Sequence, residues 1–386
     1  MAQLKAMKRM IVDKKQEIIQ AIMEDLGKPE AEADLGEVST CLIAFQTFFW
    51  NLKTWMAPEK RALWPLTYPS SAEVRYEPLG AVLILGPFNF PVMCLLKPLI
   101  GAIAAGCTAV IKPSEQTPRV AAVLARMLPQ YLDTTCYKCV LGGVAETTQL
   151  LEWRWGCIFF TGSTRVGKIV AAAAAKHLTP TVLELGGKNA AYVDESVDSM
   201  DVVARRLVWG RTFSGGQACL APDYVLCHEK SVHALELALA KAMREFFGDN
   251  PQKSPDLGRV LHRQAVARIK DLIETASGRV ICGGQTDPDD RYVAPTVISD
   301  CSLDSEIMQT EVFGPVLCIV PVKGPDQAIE IHTRISGQFP LAFYCFSTRS
   351  PIIEKMLASC RSGGVTVNDT IMHGGMRNLP FGGLGA

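Results

Sequence analysis

Apolar residues recur every three or four positions from Leu4 to about Trp55, through Ile11, Ile18, Ile22 and Leu26 and again through Leu42, Phe45 and Phe49. That spacing predicts helices that each bury one face. From Trp55 to Tyr68 the run holds Pro58 and Pro65, with Pro69 just beyond, and reads as an extended or looping connection. The period then shortens. Ala81–Leu85 is a brief apolar run closed by Gly86-Pro87, residues 91–105 have helical character, and Thr108–Ile111 is a second buried run. Strand, helix and strand in that order predict a parallel pair. The alternation goes on with a helix over 117–128, a strand over 138–141, a short helix over 145–150, a strand over 157–160 and an Ala-rich helix over 167–176.

A second set begins at Thr181–Leu185, with helices over 201–209, 232–247 and 325–334 and strands over 280–282, 316–322 and 341–346, leading into Gly363–Asn368. Repeated strand–helix units predict an α/β chain of two doubly wound α/β domains.

Composition narrows the class. The 386 residues balance 39 Lys+Arg against 39 Asp+Glu, so no basic field points to nucleic acid as a partner. With 48% hydrophobic residues the chain can build two or three cores of ordinary size. The most apolar stretch, 81–111, is broken by Pro87, Asn89, Pro91, Lys97 and Pro98, so no transmembrane segment is expected. The first fifteen residues read as an amphipathic helix, not an export signal. Thirteen scattered cysteines fit reduced thiols in a cytoplasmic setting.

Candidate chemistry is sparse when taken residue by residue. No G-x-G-x-x-G follows the first apolar strand, but Phe159-Phe-Thr-Gly162-Ser163-Thr-Arg-Val-Gly167 runs from a strand through a small-residue turn into a helix. Free amides at such a helix start suit a phosphate, although many such turns are only turns. Lys112 and Glu115 lie at the carboxyl end of a predicted parallel strand, where ligands bind in open α/β sheets; taken alone, a lysine there reads more readily as a solvated side chain.

Cys219 stands in Phe213-Ser-Gly-Gly-Gln-Ala-Cys219-Leu-Ala-Pro-Asp-Tyr224, a loop composition that suits an exposed nucleophile, which would need amides or cations to lower its pKa. The other reading is a small buried hydrophobe. Cys136 and Cys139 have redox or zinc spacing, but no second pair completes a site, and the six histidines form no H-E-x-x-H pattern. No metal site is expected.

Five segments in order carry a resemblance: Gly86-Pro-Phe-Asn89-Phe-Pro91, Ile111-Lys112-Pro-Ser-Glu115, Phe160-Thr-Gly162-Ser163, Leu183-Glu184-Leu-Gly-Gly-Lys188 and Gly216-Gln-Ala-Cys219-Leu-Ala-Pro-Asp-Tyr224. Glu311-Val-Phe313-Gly-Pro315 and Pro380-Phe-Gly-Gly-Leu-Gly385 continue it. The chain resembles the aldehyde dehydrogenase superfamily, and its Ala-Pro-Asp-Tyr segment resembles the class 3 branch that oxidises fatty and aromatic aldehydes.

The resemblance implies that Cys219 attacks an aldehyde, that Asn89 and the Cys219 amide hold the oxyanion, and that Glu184 activates the water that hydrolyses the thioester. It also implies NAD or NADP as cofactor. Lys112 and Glu115 would contact the adenosine ribose, Gly162 and Ser163 the pyrophosphate, and Glu311 with Phe313 the nicotinamide ribose. The expected organisation is N-terminal helices plus a dinucleotide-binding domain over 1–183, a catalytic domain over 184–368, and a shortened oligomerisation segment over 369–386. The expected partners are a small-molecule aldehyde and a second copy of the chain in a homodimer.

Departures from the pattern keep other readings open. Ser214 stands where class 3 relatives carry Asn, Thr310 where they carry an acid, and relatives continue for several tens of residues past the position of Ala386. A catalytically weak relative acting as a binding or structural subunit is one alternative. Transfer of the thioester to an acceptor other than water is another, and Glu184 weighs against it.

Overall fold

The structure, a computed structural model, describes residues 1–335, 340–376 and 379–383. Leu384 and Gly385 of the last motif lie outside the described residues. The chain forms two compact units, one of residues 1–21, 34–161 and 168–182, the other of residues 22–33, 162–167 and 183–386.

The first unit is built on a five-stranded sheet. Its strands are β1 (Ala81–Leu85), β2 (Thr108–Lys112), β3 (Tyr137–Cys139), β4 (Cys157–Gly162) and β5 (Thr181–Leu185), in the order β3-β2-β1-β4-β5. The pairs β1–β2, β1–β4 and β2–β3 are parallel. Val82, Leu83, Ile84 and Leu85 are all buried, so β1 is covered on both faces, as its unbroken apolar run predicts. Chain order reverses between β1 and β4, which places a topological switch at their carboxyl ends. Helices Ala2–Asp13 and Lys15–Leu26 lead the chain as the opening periodicity predicts. The helix expected over 167–176 begins earlier, at Thr164, directly after Ser163.

The second unit holds a seven-stranded sheet. Its strands are β6 (Ala190–Val193), β7 (Tyr224–His228), β8 (Arg279–Cys282), β9 (Thr296–Ser299), β10 (Val316–Val322), β11 (Ala342–Phe346) and β12 (Gly364–Val367). They lie in the order β8-β9-β10-β7-β6-β11-β12, all pairs parallel except the antiparallel edge strand β8. Alternate residues feed two cores: Tyr192, Leu226, Cys318 and Phe343 enter one, and Ala191, Val225, Leu317 and Tyr344 the other. The doubly wound α/β class expected from the sequence is what the structure has. Among the described residues no helix is long and apolar enough to cross a membrane.

Candidate active site

In the second unit the segments that carry the expected site residues enter from one edge. Glu184 and Lys188 precede β6, Cys219 and Asp223 precede β7, Glu311 and Phe313 precede β10, and Gly363 precedes β12. This is the amino-terminal edge of the parallel strands, the opposite end from the one where ligands gather in a single open sheet.

Cys219 follows a tight corner. Helix Met200–Thr212 ends at a short 3-10 turn, Phe213–Gly216, in which Ser214, Gly215 and Gly216 all have left-handed backbone, at φ 58°, 63° and 77°. A Cβ on Gly216 would lie 2.3 Å from the Gly314 carbonyl carbon, so only glycine lets the nucleophile loop pass the Glu311–Pro315 segment there. Beyond the corner the backbone is tied down by side chains. Asn189 donates to the Cys219 carbonyl at 2.7 Å and the Ala221 carbonyl at 3.1 Å while accepting from the Ala342 amide at 2.9 Å. The Tyr344 hydroxyl donates to the Leu220 carbonyl at 2.5 Å.

A buried ion network supports three of these loops, those before β6, β7 and β10. Asp223 accepts from Arg211 at 2.8 Å, pairs with Lys188 at 3.0 Å, and accepts from the Val312 amide at 3.2 Å. Arg211 also donates to the carbonyls of Gly216 at 2.6 Å and Pro222 at 3.1 Å, and Lys188 donates to the Ile307 carbonyl at 2.5 Å. Both cations and the carboxylate are buried, so each charge depends on the others for compensation.

Electrostatics set the roles. The half-buried Cys219 thiol is pushed up to about 12 by loss of solvent, with the Glu311 and Glu184 carboxylates adding to the rise and the amides of Cys219 and Leu220 opposing it. The expected amides are present, but burial and two acids outweigh them, so the resting thiol is protonated at neutral pH. Glu184, near the end of edge strand β5, is pushed up to about 7 by burial, and its Oε2 is enclosed without a hydrogen-bond partner among the described residues. A carboxyl poised there takes up a proton near neutral pH, as a general base requires. The backbone of Gly382 passes close by: a Cβ there would lie 3.5 Å from Glu184 Oε1. Glu311 is also raised to about 7, chiefly by burial and then by Asp223, while a bond from the Gly187 amide draws it back. A Cβ on Gly186 would come within 2.3 Å of the Glu311 carboxylate, so this glycine lets the two loops meet. Phe313, two residues on, has left-handed backbone at φ 51°.

Of the expected site residues, Glu184, Cys219 and Glu311 thus lie within electrostatic reach of one another. Asn89 is buried in the first unit, in the turn after β1. Glu37 braces that turn: its carboxylate accepts from the amides of Val92 and Met93 at 2.8 and 3.1 Å. Lys112 is no solvated lysine, since it is buried and its ammonium donates to Glu115 at 2.6 Å. That pair holds the Glu115 carboxyl below its usual range despite partial burial. Ser163 caps the helix Thr164–Ala175 through a bond from the Val166 amide to its hydroxyl at 3.4 Å.

These features fit a dinucleotide. Ser163 is exposed, so the helix start keeps open the amides that its first turn cannot bond internally. Lys112 and Glu115 offer a paired donor and acceptor at the carboxyl end of β2. All thirteen cysteines, Cys136 and Cys139 among them, are free thiols. Among the described residues no group of three or more His, Cys, Asp or Glu could hold a metal ion.

Asn189, Arg211, Asp223 and Tyr344 were not singled out from the sequence. Asp223 alone carried a local signal, as part of the Ala-Pro-Asp-Tyr segment; the partners of Asn189 and Tyr344 are distant in the chain, and those of Arg211, 5 to 12 residues on, lie across the corner that follows its helix.

Comparison with known proteins bears on the whole chain. The sequence profile of the aldehyde dehydrogenase family matches residues 1–386. The mouse protein aldehyde dehydrogenase family 3 member B1 is 46% identical over 384 residues, which span 100% of this chain and 81% of that protein. The substrate-bound state of Staphylococcus aureus AldH superposes with a TM-score of 0.96 at 38% identity, covering 99% of this chain and 83% of the other. A Mycobacterium tuberculosis aldehyde dehydrogenase complexed with NAD+ superposes with a TM-score of 0.88 at 26% identity, covering 99% and 79%.

Proposed function

The chain belongs to the aldehyde dehydrogenase family and is an aldehyde dehydrogenase, and from that premise we propose that it oxidises medium- or long-chain aliphatic or aromatic aldehydes to carboxylic acids with NAD or NADP. The observation that carries the reading is the Cys219 thiol within electrostatic reach of a Glu184 carboxyl near 7 whose buried Oε2 has no hydrogen-bond partner among the described residues.

Cys219 is the nucleophile. Its proton passes to a base, with Glu184 in reach, and from there to solvent, which leaves Glu184 ionised again, and sulfur bonds to the aldehyde carbon as the carbonyl electrons move to oxygen. Asn89 and the Cys219 amide hold the resulting oxyanion; one well-placed donor of this kind supplies roughly 3 to 4 kcal/mol. When bound, the dinucleotide supplies the hydride acceptor without which the thiohemiacetal carbon could not be oxidised. The acyl group is then a thioester on Cys219, and the sulfur can no longer serve as base. Glu184 removes a proton from water, water oxygen bonds to the acyl carbon, the C–S bond breaks, and the carboxylic acid leaves with the thiol restored.

Lys112 and Glu115 would hold the adenosine ribose, Gly162 and Ser163 the pyrophosphate, and Glu311 with Phe313 the nicotinamide ribose. The relative complexed with NAD+ supports that cofactor. A cytoplasmic homodimer completes the proposal, with the free thiols in favour of a reducing compartment.

The test is NADH fluorescence after mixing the protein with hexanal and NAD, and again with benzaldehyde and with NADP. NADH production in wild type that vanishes in Cys219→Ala supports the reading. Equal production by the variant rejects the thiol as nucleophile.

A further inference from the structure

Within the second unit, a piece of chain from far upstream touches the corner that precedes the nucleophile. Residues 22–33 pack with this unit, although the segments on either side belong to the other. The short helix Glu30–Ala33 presents Glu32, half-buried, whose Oε2 accepts from the Ser214 amide at 2.9 Å. Ser214 itself is buried, and it is the first of the three left-handed residues that turn the chain toward Cys219.

We propose that Glu32 is a positioning residue for Cys219, holding the left-handed corner 214–216 through the Ser214 amide so that the thiol and its neighbouring amides keep their register. The proposal rests on the dehydrogenase reading above. Three physical facts lead to it. Ser214 has a Cβ, so its left-handed backbone persists only where the surroundings impose it. Its amide is buried and needs an acceptor, and Glu32 supplies one. The remaining restraints act on the other side of the corner. Gln217 donates to the carbonyls of Ser214 at 3.1 Å and Arg259 at 2.9 Å and accepts from the Leu261 amide at 2.8 Å, while Arg211 holds the Gly216 carbonyl. Glu32 acts on the amide side of the corner.

The strap that carries Glu32 is itself fixed. Arg291 donates to the Asp25 carbonyl at 2.6 Å, and a Cβ on Gly27 would lie 2.8 Å from the Arg259 side chain, so the segment lies tight against the unit. Burial raises the Glu32 carboxyl to about 7, with Asp256 adding to the rise and the Ser214 amide and Lys28 opposing it. An amide oxygen of the same reach would accept the same bond, so the contact depends on an acceptor in place more than on charge.

The experiment compares Glu32→Ala, Glu32→Gln and Glu32→Asp in the full chain. Turnover is read with hexanal and NAD, and the rate of Cys219 alkylation by iodoacetamide is followed on the peptide by mass spectrometry without cofactor. Glu32→Ala is expected to lower kcat by about tenfold or more with the KM for NAD changed less than about twofold, because it misplaces the nucleophile and leaves the cofactor contacts alone. Glu32→Gln is expected to stay within about threefold of wild type, and Glu32→Asp, one methylene short, to fall between. Cys219 alkylation is expected to shift about fivefold or more in Glu32→Ala and to stay near wild type in Glu32→Gln, a result that does not depend on turnover.

Unchanged kcat and alkylation in Glu32→Ala would overturn the proposal. So would equal impairment of the Gln and Ala variants. A wild type without turnover whose alkylation still follows the expected pattern would refute the dehydrogenase reading and leave the positioning role standing. If Glu32→Ala does not fold, the Asp and Gln variants decide: the proposal fails if they behave alike.

Discussion

At the scale of single residues, Cys219 and Glu184 divide the chemistry by environment. Both are titratable groups with burial as the first cause of their shift, yet burial has opposite uses in the two. It keeps the Cys219 thiol protonated, which protects it until substrate arrives, and it lifts the Glu184 carboxyl to about 7, where it can accept a proton. Glu184 is a base only when ionised, so the hydrolytic step should rise with pH through about 7 and level off above it. A pH profile of kcat, taken under conditions in which hydrolysis limits the rate, should show that limb. If the profile is flat from pH 6 to pH 8, on the order of the span one titration needs, Glu184 is not the base.

These two residues were legible in the sequence because short ordered motifs frame them. Lys112 was named but misjudged when taken alone, because nothing local shows that a lysine after a strand will fold back onto Glu115. Glu32 was not singled out: its partner Ser214 is 182 positions away, and no periodicity reports a contact of that range.

At the scale of elements, the loops at the amino edge of the second sheet are held as one set by Asp223. It links Lys188 before β6, its own loop before β7 and Val312 before β10. Asp223→Asn keeps the shape but leaves the Lys188 and Arg211 cations short of an anion in a buried place. Breaking such a pair costs about 3 to 5 kcal/mol, so a loss of that order is expected in urea unfolding. The kcat should fall with it, since three loops lose their common anchor. An Asn variant as stable and as active as wild type would show that the network is incidental.

Strand positions were read well where the apolar run is bounded by turn residues, as at β1 and Val316–Val322; Thr181–Leu185 was also found, but it is the edge strand of the first sheet and does not open the second set as expected. β6 and β7 were missed. Ala190–Val193 and Tyr224–His228 are short, buried on both faces and embedded in motif residues, so they show neither alternation nor a boundary. Helix Arg263–Thr275 was missed although its buried residues Val266, Ile269, Leu272 and Ile273 follow the helical period; the reading passed over a detectable signal.

At the scale of the whole molecule, the second unit carries acids that folding makes harder to ionise: Glu32, Glu184 and Glu311 are each raised to about 7. A folded state that binds protons more tightly than the unfolded one is stabilised below the unfolded pKa and loses that stability as pH rises through the folded pKa. His332, lowered to about 4 by burial, works in the opposite direction below its unfolded value, so the total slope mixes both signs. Comparison with a variant isolates one group. Relative to Glu184→Gln, wild type should lose about 1 to 3 kcal/mol between pH 5 and pH 8, since one pKa unit corresponds to about 1.4 kcal/mol. Parallel stability curves for the two proteins would mean that Glu184 is not desolvated in solution. The two-sheet architecture and the family were legible from ordered motifs over nearly the whole chain. The gathering of catalytic loops at the amino edge of the second sheet was not, because it follows from strand order, which the local pattern does not encode.

The central claim is that Cys219 carries the acyl group and Glu184 releases it. The most direct measurement mixes Glu184→Gln with hexanal and NAD, follows NADH by stopped flow and weighs the quenched protein by mass spectrometry. The account expects a single burst of NADH approaching one per site, a hexanoyl adduct on the Cys219 peptide, and steady turnover at least about a hundredfold below wild type. Undiminished steady turnover with no adduct on Cys219 would contradict it.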